Sequence, residues 1–359
     1  MKSLKALIPA IALGLLAACS DNTQSDVTQS DGPNASHAEQ AAVERVVNLY
    51  STRHYDSDRE LYRIFEEKTG IRVRAREAGS SALLETMKAE GATSPADVVL
   101  ATDAGTLWRF QDENLLQPFT TDRLSAGVPA QYREPSGYWY GLSKRARVIV
   151  FDTQKHQASD FTDYSDLASP KYKGEVCMRS SSNIYNLSLM GELIERWGNP
   201  AAATWAESIV GNFARQPTGG DTTQIESIAA GECSVALINH YYWARLATAS
   251  SADRRALTEA TALVFPSGEH GTHVNITGGA IAANAPNKAE AIAFLEFLLS
   301  PEGQSMLISE TKEFPISDSV QPPAPLGGFP EFRASAIALT HFGENQRQAQ
   351  INYDKAGWN

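Results

Sequence analysis

Beyond residue 43 the chain switches regularly between two hydrophobic periods. Segments 44–51 (ERVVNLYS), 71–77 (IRVRARE) and 96–101 (ADVVLA) show the alternating or continuous apolar pattern of strands. Between them, 58–69, 82–90 and 105–114 space their apolar residues as helices do, with Leu61, Ile64 and Phe65 on one face of the first. Gly70 closes that helix, and Ser57-Asp58-Arg59-Glu60 reads as a capping box at its start. Strand and helix in turn, with short connections, predict a mostly parallel sheet.

The pattern then changes. Residues 137–154 (GYWYGLSKRARVIVFDTQ) form a long β-rich stretch suited to carrying the chain from one lobe into another. A second alternating set follows: strand 174–180, helices 183–197, 200–212 and 223–230, strand 233–239, helix 242–249 and strand 262–267. The segment 272–283 (THVNITGGAIAA) gives another strand, interrupted by a Gly-Gly break, and leads to a helix at 288–299 that returns to the first lobe. The expected domains are therefore 44–142 with about 274–315 as lobe 1, and 143–273 with about 316–359 as lobe 2. Two α/β lobes joined by β crossings predict a clamshell that encloses its ligand between them.

Composition adds a compartment. The 359 residues are 42% hydrophobic and 20% charged, as in a globular protein, and the net charge of -11 argues against nucleic acid as a partner. MKSLKALIPAIALGLLAACS sets two lysines ahead of an apolar run, which is the anatomy of a secretory signal. The run ends in Leu16-Ala17-Ala18-Cys19 and resembles a bacterial lipoprotein signal, in which Cys19 is acylated and becomes the new N-terminus. A plain signal peptide cut nearby is the alternative. On the lipoprotein reading, 1–18 is the signal and 19–43 a polar, flexible tether. No later segment reaches the roughly 18 consecutive apolar residues of a membrane span, so the expected location is periplasmic, with membrane contact through the lipid alone. Cys177 and Cys233 remain, an even number in an oxidising space, and are expected to bridge; two buried free thiols are the alternative.

Candidate chemistry lies where strands end, because open parallel sheets bind ligands beyond the carboxyl ends of their strands. Three such exits deliver tyrosine: Tyr55 after VVNLY, Tyr185 after EVCMR, and the adjacent Tyr241 and Tyr242 after CSVALI. A single tyrosine at such a place usually covers an apolar edge. Several together suggest a different use. With pKa values near 10, phenols are poor acids or bases at neutral pH, but a strong Lewis acid displaces their protons, and Fe(III) suits the resulting anionic oxygens. A site with some phenols still protonated would also suit Fe(II). Neither an HExxH motif nor an EF-hand loop is present.

LYSTRHY, DAGTLWRF, GLSKRARVIVF, VCMRSSSNIYN, NHYYW and HVNITGGA together resemble the ferric-iron-binding receptors of bacterial ABC importers, particularly the cyanobacterial-type branch. The resemblance runs from about Val46 to the C-terminus. It implies a type II, transferrin-like periplasmic-binding fold and a monomeric receptor that hands iron to an ABC permease. It also implies metal ligation by Tyr185, Tyr241 and Tyr242 from the second lobe and Tyr55 from the first, with His54 as a fifth candidate. Fe(III) with four phenolates carries one net negative charge, which Arg145, at a family position beside the metal, would offset. His240 has no ligand role in the family, and His270 and His273 lie in a Gly-rich segment leading into the return strand.

Two other functions compete. A receptor for a small organic solute, such as a polyamine, thiamine or a sugar, would show aromatic faces with scattered carboxylates or amides. An exported hydrolase would need a nucleophile or paired carboxylates; GxSxG is absent, and no carboxylate pair has a persuasive spacing. The chain is therefore expected not to be an enzyme.

Overall fold

The computed structural model describes residues 44–359; the signal segment, Cys19 and the tether lie outside the described residues. The first half runs β1 (Val46–Ser51), α1 (Asp56–Thr69), β2 (Arg72–Glu77), α2 (Ser80–Glu90), β3 (Val98–Ala101), α3 (Ala104–Asp112), β4 (Leu116–Gln117) and α4 (Asp122–Gly127). The long strand β5 (Trp139–Asp152) follows, then β6 (Val176–Cys177), α5 (Ile184–Trp197), α6 (Asn199–Gly211), α7 (Asp221–Ala229), β7 (Val235–Asn239), α8 (His240–Ala247), α9 (Ala252–Glu259) and β8 (Thr261–Val264). The chain ends with β9 (Val274–Ala282), α10 (Lys288–Leu298), α11 (Pro301–Ser309), β10 (Phe314–Pro315), α12 (His341–Glu344) and α13 (Gln346–Ala356).

Strands order as β2-β1-β3-β9-β5-β7-β6. β1 pairs in parallel with β2 and β3, and β6 with β7. Every pairing of β5 and β9 is antiparallel, so the sheet is mixed where a mostly parallel one was expected. The cause is the crossing itself. The first part of β5, from Trp139 to Ala146, pairs with β9, and the part from Arg147 onward pairs with β7 and β8. One strand thus leaves the first half and enters the second, and β9 runs back against it.

Two sequence expectations fail locally. α1 starts at Asp56 with Tyr55 at its N-cap and no side-chain cap; Asp58 instead receives Arg53 Nε and Nη2 at 3.1 and 2.6 Å in a buried ion pair. The capping box is lost because α1 starts ahead of Ser57, which leaves that residue inside the helix, and Glu60, the carboxylate of the box, pairs with Arg63 at 2.6 Å on the surface. Gly278 and Gly279 do not interrupt β9. A Cβ on Gly278 would come within 2.6 Å of Leu107, and one on Gly279 within 2.5 Å of Leu295, so these glycines let α3 and α10 close on the strand.

The cores follow the two halves. One gathers Val47, Leu49, Phe65, Val98, Leu107, Trp139, Ile276 and Phe294, with Ile316, Leu339 and Phe342 added from the C-terminal segment. Two smaller ones gather Ile149, Leu189, Trp205, Leu237, Tyr353 and Trp358, and Val148, Ile225, Ala236 and Ile238. Cys177 and Cys233 stand at disulfide distance in the last of these, with Cα atoms 5.9 Å apart.

Candidate metal centre

The tyrosines occupy the starts of helices. Tyr55 is the N-cap of α1, Tyr185 the second residue of α5, and Tyr241 and Tyr242 the second and third of α8. α8 begins at His240, earlier than its expected start at 242, so the adjacent tyrosines share its first turn. A helical step turns neighbours by about 100°, which lets both rings face one side instead of the opposite faces of a strand. Helix N-termini also favour negative charge, the form a phenol takes on a metal.

The phenols converge. The Tyr241 hydroxyl donates to that of Tyr185 at 3.2 Å and accepts from Asn239 Nδ2 at 3.2 Å. The Tyr241 and Tyr242 rings stand 4.6 Å apart. Burial raises the Tyr241 hydroxyl well above its ordinary pKa; Tyr185 and Tyr242 add to the rise, Arg145 opposes it, and Tyr55 is close enough to contribute. Tyr185 is likewise raised, by burial first and then Tyr242. Tyr55 is raised by burial and by Glu313, against the pull of Arg145, Arg53 and Arg245. Tyr55 therefore shares one electrostatic environment with Tyr185 and Tyr241, although it comes from the first half of the chain and they from the second. His54 is exposed, its ring stacked on Tyr55 at 5.7 Å.

Four guanidinium groups face the four rings. Arg53 lies 5.0 Å from the centre of Tyr55, Arg179 5.3 Å from Tyr185, Arg145 5.7 Å from Tyr241, and Arg245 5.1 and 4.7 Å from Tyr241 and Tyr242. Arg145 pairs with a carboxylate that sequence reasoning missed. It pairs with Glu313 at 2.9 Å, both side chains buried, and Thr277 and Ser143 also hydrogen-bond within the cluster. Burial opposes the charge on Arg145, but Glu313 first and then Tyr241, Tyr185 and Tyr55 hold it protonated. Arg53 is matched by Asp58, while Arg179 and Arg147 share Asp221 at 2.9 and 2.7 Å. Arg245 has no carboxylate within ion-pair distance among the described residues. Its position three and four residues after the tyrosine pair was the available sequence signal. Glu313 offered none, since it lies 170 residues from Ser143 in the chain.

Two of the histidines set aside from the sequence, His240 and His273, are structural. His240 is wholly buried, with Nδ1 accepting from the Ala146 N–H at 3.1 Å and Nε2 donating to the Lys312 carbonyl at 3.1 Å. Burial lowers its pKa to about 3, so it stays neutral. His273 is buried against Glu192 and Phe342. The assembled site can exchange phenol protons for a small, highly charged cation beside four guanidinium groups, of which Arg245 alone lacks a carboxylate partner among the described residues.

Residues 60–333 match the family of bacterial extracellular solute-binding proteins. The chain is 39% identical to iron uptake protein A1 of Synechocystis over 91% of both chains, and 27% identical to the major ferric iron-binding protein of Neisseria meningitidis serogroup B over 85% of this chain and 91% of that protein. A Trichodesmium structure in complex with iron and citrate ligands superposes with a TM-score of 0.84 at 44% identity, covering 88% of this chain and all of that one.

Proposed function

The chain belongs to the bacterial extracellular solute-binding proteins, and on that premise we propose that it captures iron outside the cytoplasm and delivers it to an ABC permease. It is a two-lobed α/β transport receptor, not an enzyme, and its cargo is iron, as Fe(III). Tyr55, Tyr185, Tyr241 and Tyr242 bind the metal as phenolates, with His54 at the rim as a fifth donor and Arg145 beside them. What supports this ligand set is the convergence of four phenols, from three helix starts, on one arginine-lined space. Because Glu313 already matches Arg145, the positive charge facing the phenolates comes from the ensemble of arginines rather than from Arg145 alone. The unpartnered Nε and Nη1 of Arg145 suit an oxygen-rich anion accompanying the cation.

The lobes are taken as 44–142 with about 274–315, and 143–273 with about 316–359, although Ile316, Leu339 and Phe342 of that last segment pack into the first core. A lipid on Cys19 tethers the receptor to the membrane on the periplasmic side, and it works as a monomer. Phenolate ligation gives the ferric protein a visible charge-transfer colour. Tyr241→Phe with Tyr242→Phe keeps both rings and removes both oxygens, so the double variant is expected to lose the band and at least a hundredfold in iron affinity, roughly 3 kcal/mol. A colourless wild type after Fe(III) loading and desalting, or an unchanged band in the double variant, would overturn the assignment.

A further inference from the structure

Asp103 has a conspicuous set of partners. It is the N-cap of α3, accepting from the Gly105 and Thr106 N–H groups at 2.8 and 3.3 Å, and it is fully buried. Asn275 of β9 donates to it at 2.8 Å and in the same gesture accepts the Ala104 N–H at 2.9 Å, fixing the start of α3 to a crossing strand. Its remaining partner comes from the other half: Ser188 Oγ lies 2.9 Å from both carboxylate oxygens. Ser188 is itself wholly buried, and it sits three residues after Tyr185, one turn further along α5.

Around this bond α3, α5 and α12 pack unusually closely. A Cβ on Gly105 of α3 would meet the Phe342 carbonyl oxygen at 3.2 Å, and one on Gly191 of α5 would meet the same oxygen at 3.1 Å. A side chain on Gly343 would strike Trp108 of α3 at 2.6 Å. α12 is thus wedged between one helix from each half, next to the strands where the chain crosses. Contacts this near a crossing move little when lobes turn, whereas distant ones move far.

We propose that Asp103 and Ser188 form the fulcrum on which the two halves turn, a positioning pair that fixes α5 against α3 and so sets where Tyr185 stands relative to Tyr55. A buried carboxylate is kept here because it accepts from both halves at once, an arrangement an apolar contact would not hold to one angle. In its consequence for metal binding the proposal rests on the tyrosine assignment; as a statement about lobe geometry it does not.

Ser188→Ala removes the bond between the halves and leaves the α3 cap and Asn275 untouched, and Ser188→Thr restores the hydroxyl. Small-angle scattering of the iron-free protein reads the lobe geometry directly. Ser188→Ala is expected to increase the radius of gyration and Ser188→Thr to return it to the wild-type value. In the iron-loaded protein, Ser188→Ala is expected to keep the absorption maximum while weakening iron binding about three- to tenfold. Superimposable scattering curves for wild type and Ser188→Ala overturn the fulcrum, whatever the iron result. A wild type that never acquires the band fails the tyrosine assignment instead, and the scattering comparison still decides the fulcrum. If Ser188→Ala folds poorly, Asp103→Asn takes its place: it keeps an acceptor for the cap but cannot accept at both oxygens, and unchanged scattering there overturns the proposal equally.

Discussion

His240 and Tyr241 are consecutive, both fully buried, and used in opposite ways. The histidine spends each nitrogen on backbone, joining β5 to the segment after α11 through Ala146 and Lys312, while the tyrosine hydroxyl hydrogen-bonds to Tyr185, its partner in the proposed metal site. His240→Ala would leave a cavity and two backbone groups without partners, so a loss of about 3–5 kcal/mol is expected in chemical denaturation. The ferric absorption maximum should stay where it is, since no metal ligand is removed; a shifted band would show that the ring reaches the iron. The tyrosines were legible because each lies beyond an apolar run with strand character. Arg145 was legible by position but its charge balance was not, because Glu313 becomes its neighbour only when β10 folds against β5.

At the scale of elements, helix boundaries followed the apolar spacing closely: α10 begins at Lys288 as expected, and α5 and α6 each begin within a residue of theirs. α9, α11, α12 and α13 were not anticipated from the pattern. α9 has no buried residue, and α12 spans only four residues, too little of a period to read. β6 shrank to two residues, Val176 and Cys177, paired in parallel with β7. Cys177 and Cys233 reinforce this short element by closing a loop of 56 residues, worth about 4 kcal/mol in the chain-entropy account. Cys177→Ala with Cys233→Ala should lose about that much stability in denaturant titration. The iron band should persist wherever the double variant remains folded.

For the molecule as a whole, acid stability tests the electrostatics. His240 takes its proton near 6.5 when unfolded and near 3 when folded, so the unfolded state binds more protons across that window and stability falls as pH drops through it, by roughly 5 kcal/mol for this group alone. Glu192 acts in the same direction lower down. Buried but held to a pKa of about 2 by His273 and Arg196, its contribution is present above 4.5 and lost toward pH 2. Asp103 acts in the opposite sense. Burial raises its pKa from 3.8 to about 6, so it binds its proton first in the folded state and favours folding as pH falls between those values. Asp103→Asn is therefore expected to make the loss of stability between pH 6 and 4 steeper than in the wild type. A shallower slope would mean that the hydrogen bonds to Asp103 outweigh its burial and hold its carboxyl below, not above, its ordinary pKa.

The residue pattern alone determined the alternation of strands and helices, the long crossing at 137–154, and the tyrosines at strand exits, because each is a local consequence of hydrophobic period and chain direction. The mixed sheet, the matching of Arg145 by Glu313, the joint of α3, α5 and α12, and the burial of His240 were decided only in three dimensions. Each depends on groups far apart in sequence. Desolvation and close backbone approach exist only once those distant segments have met, and they leave no periodic trace in the chain beforehand.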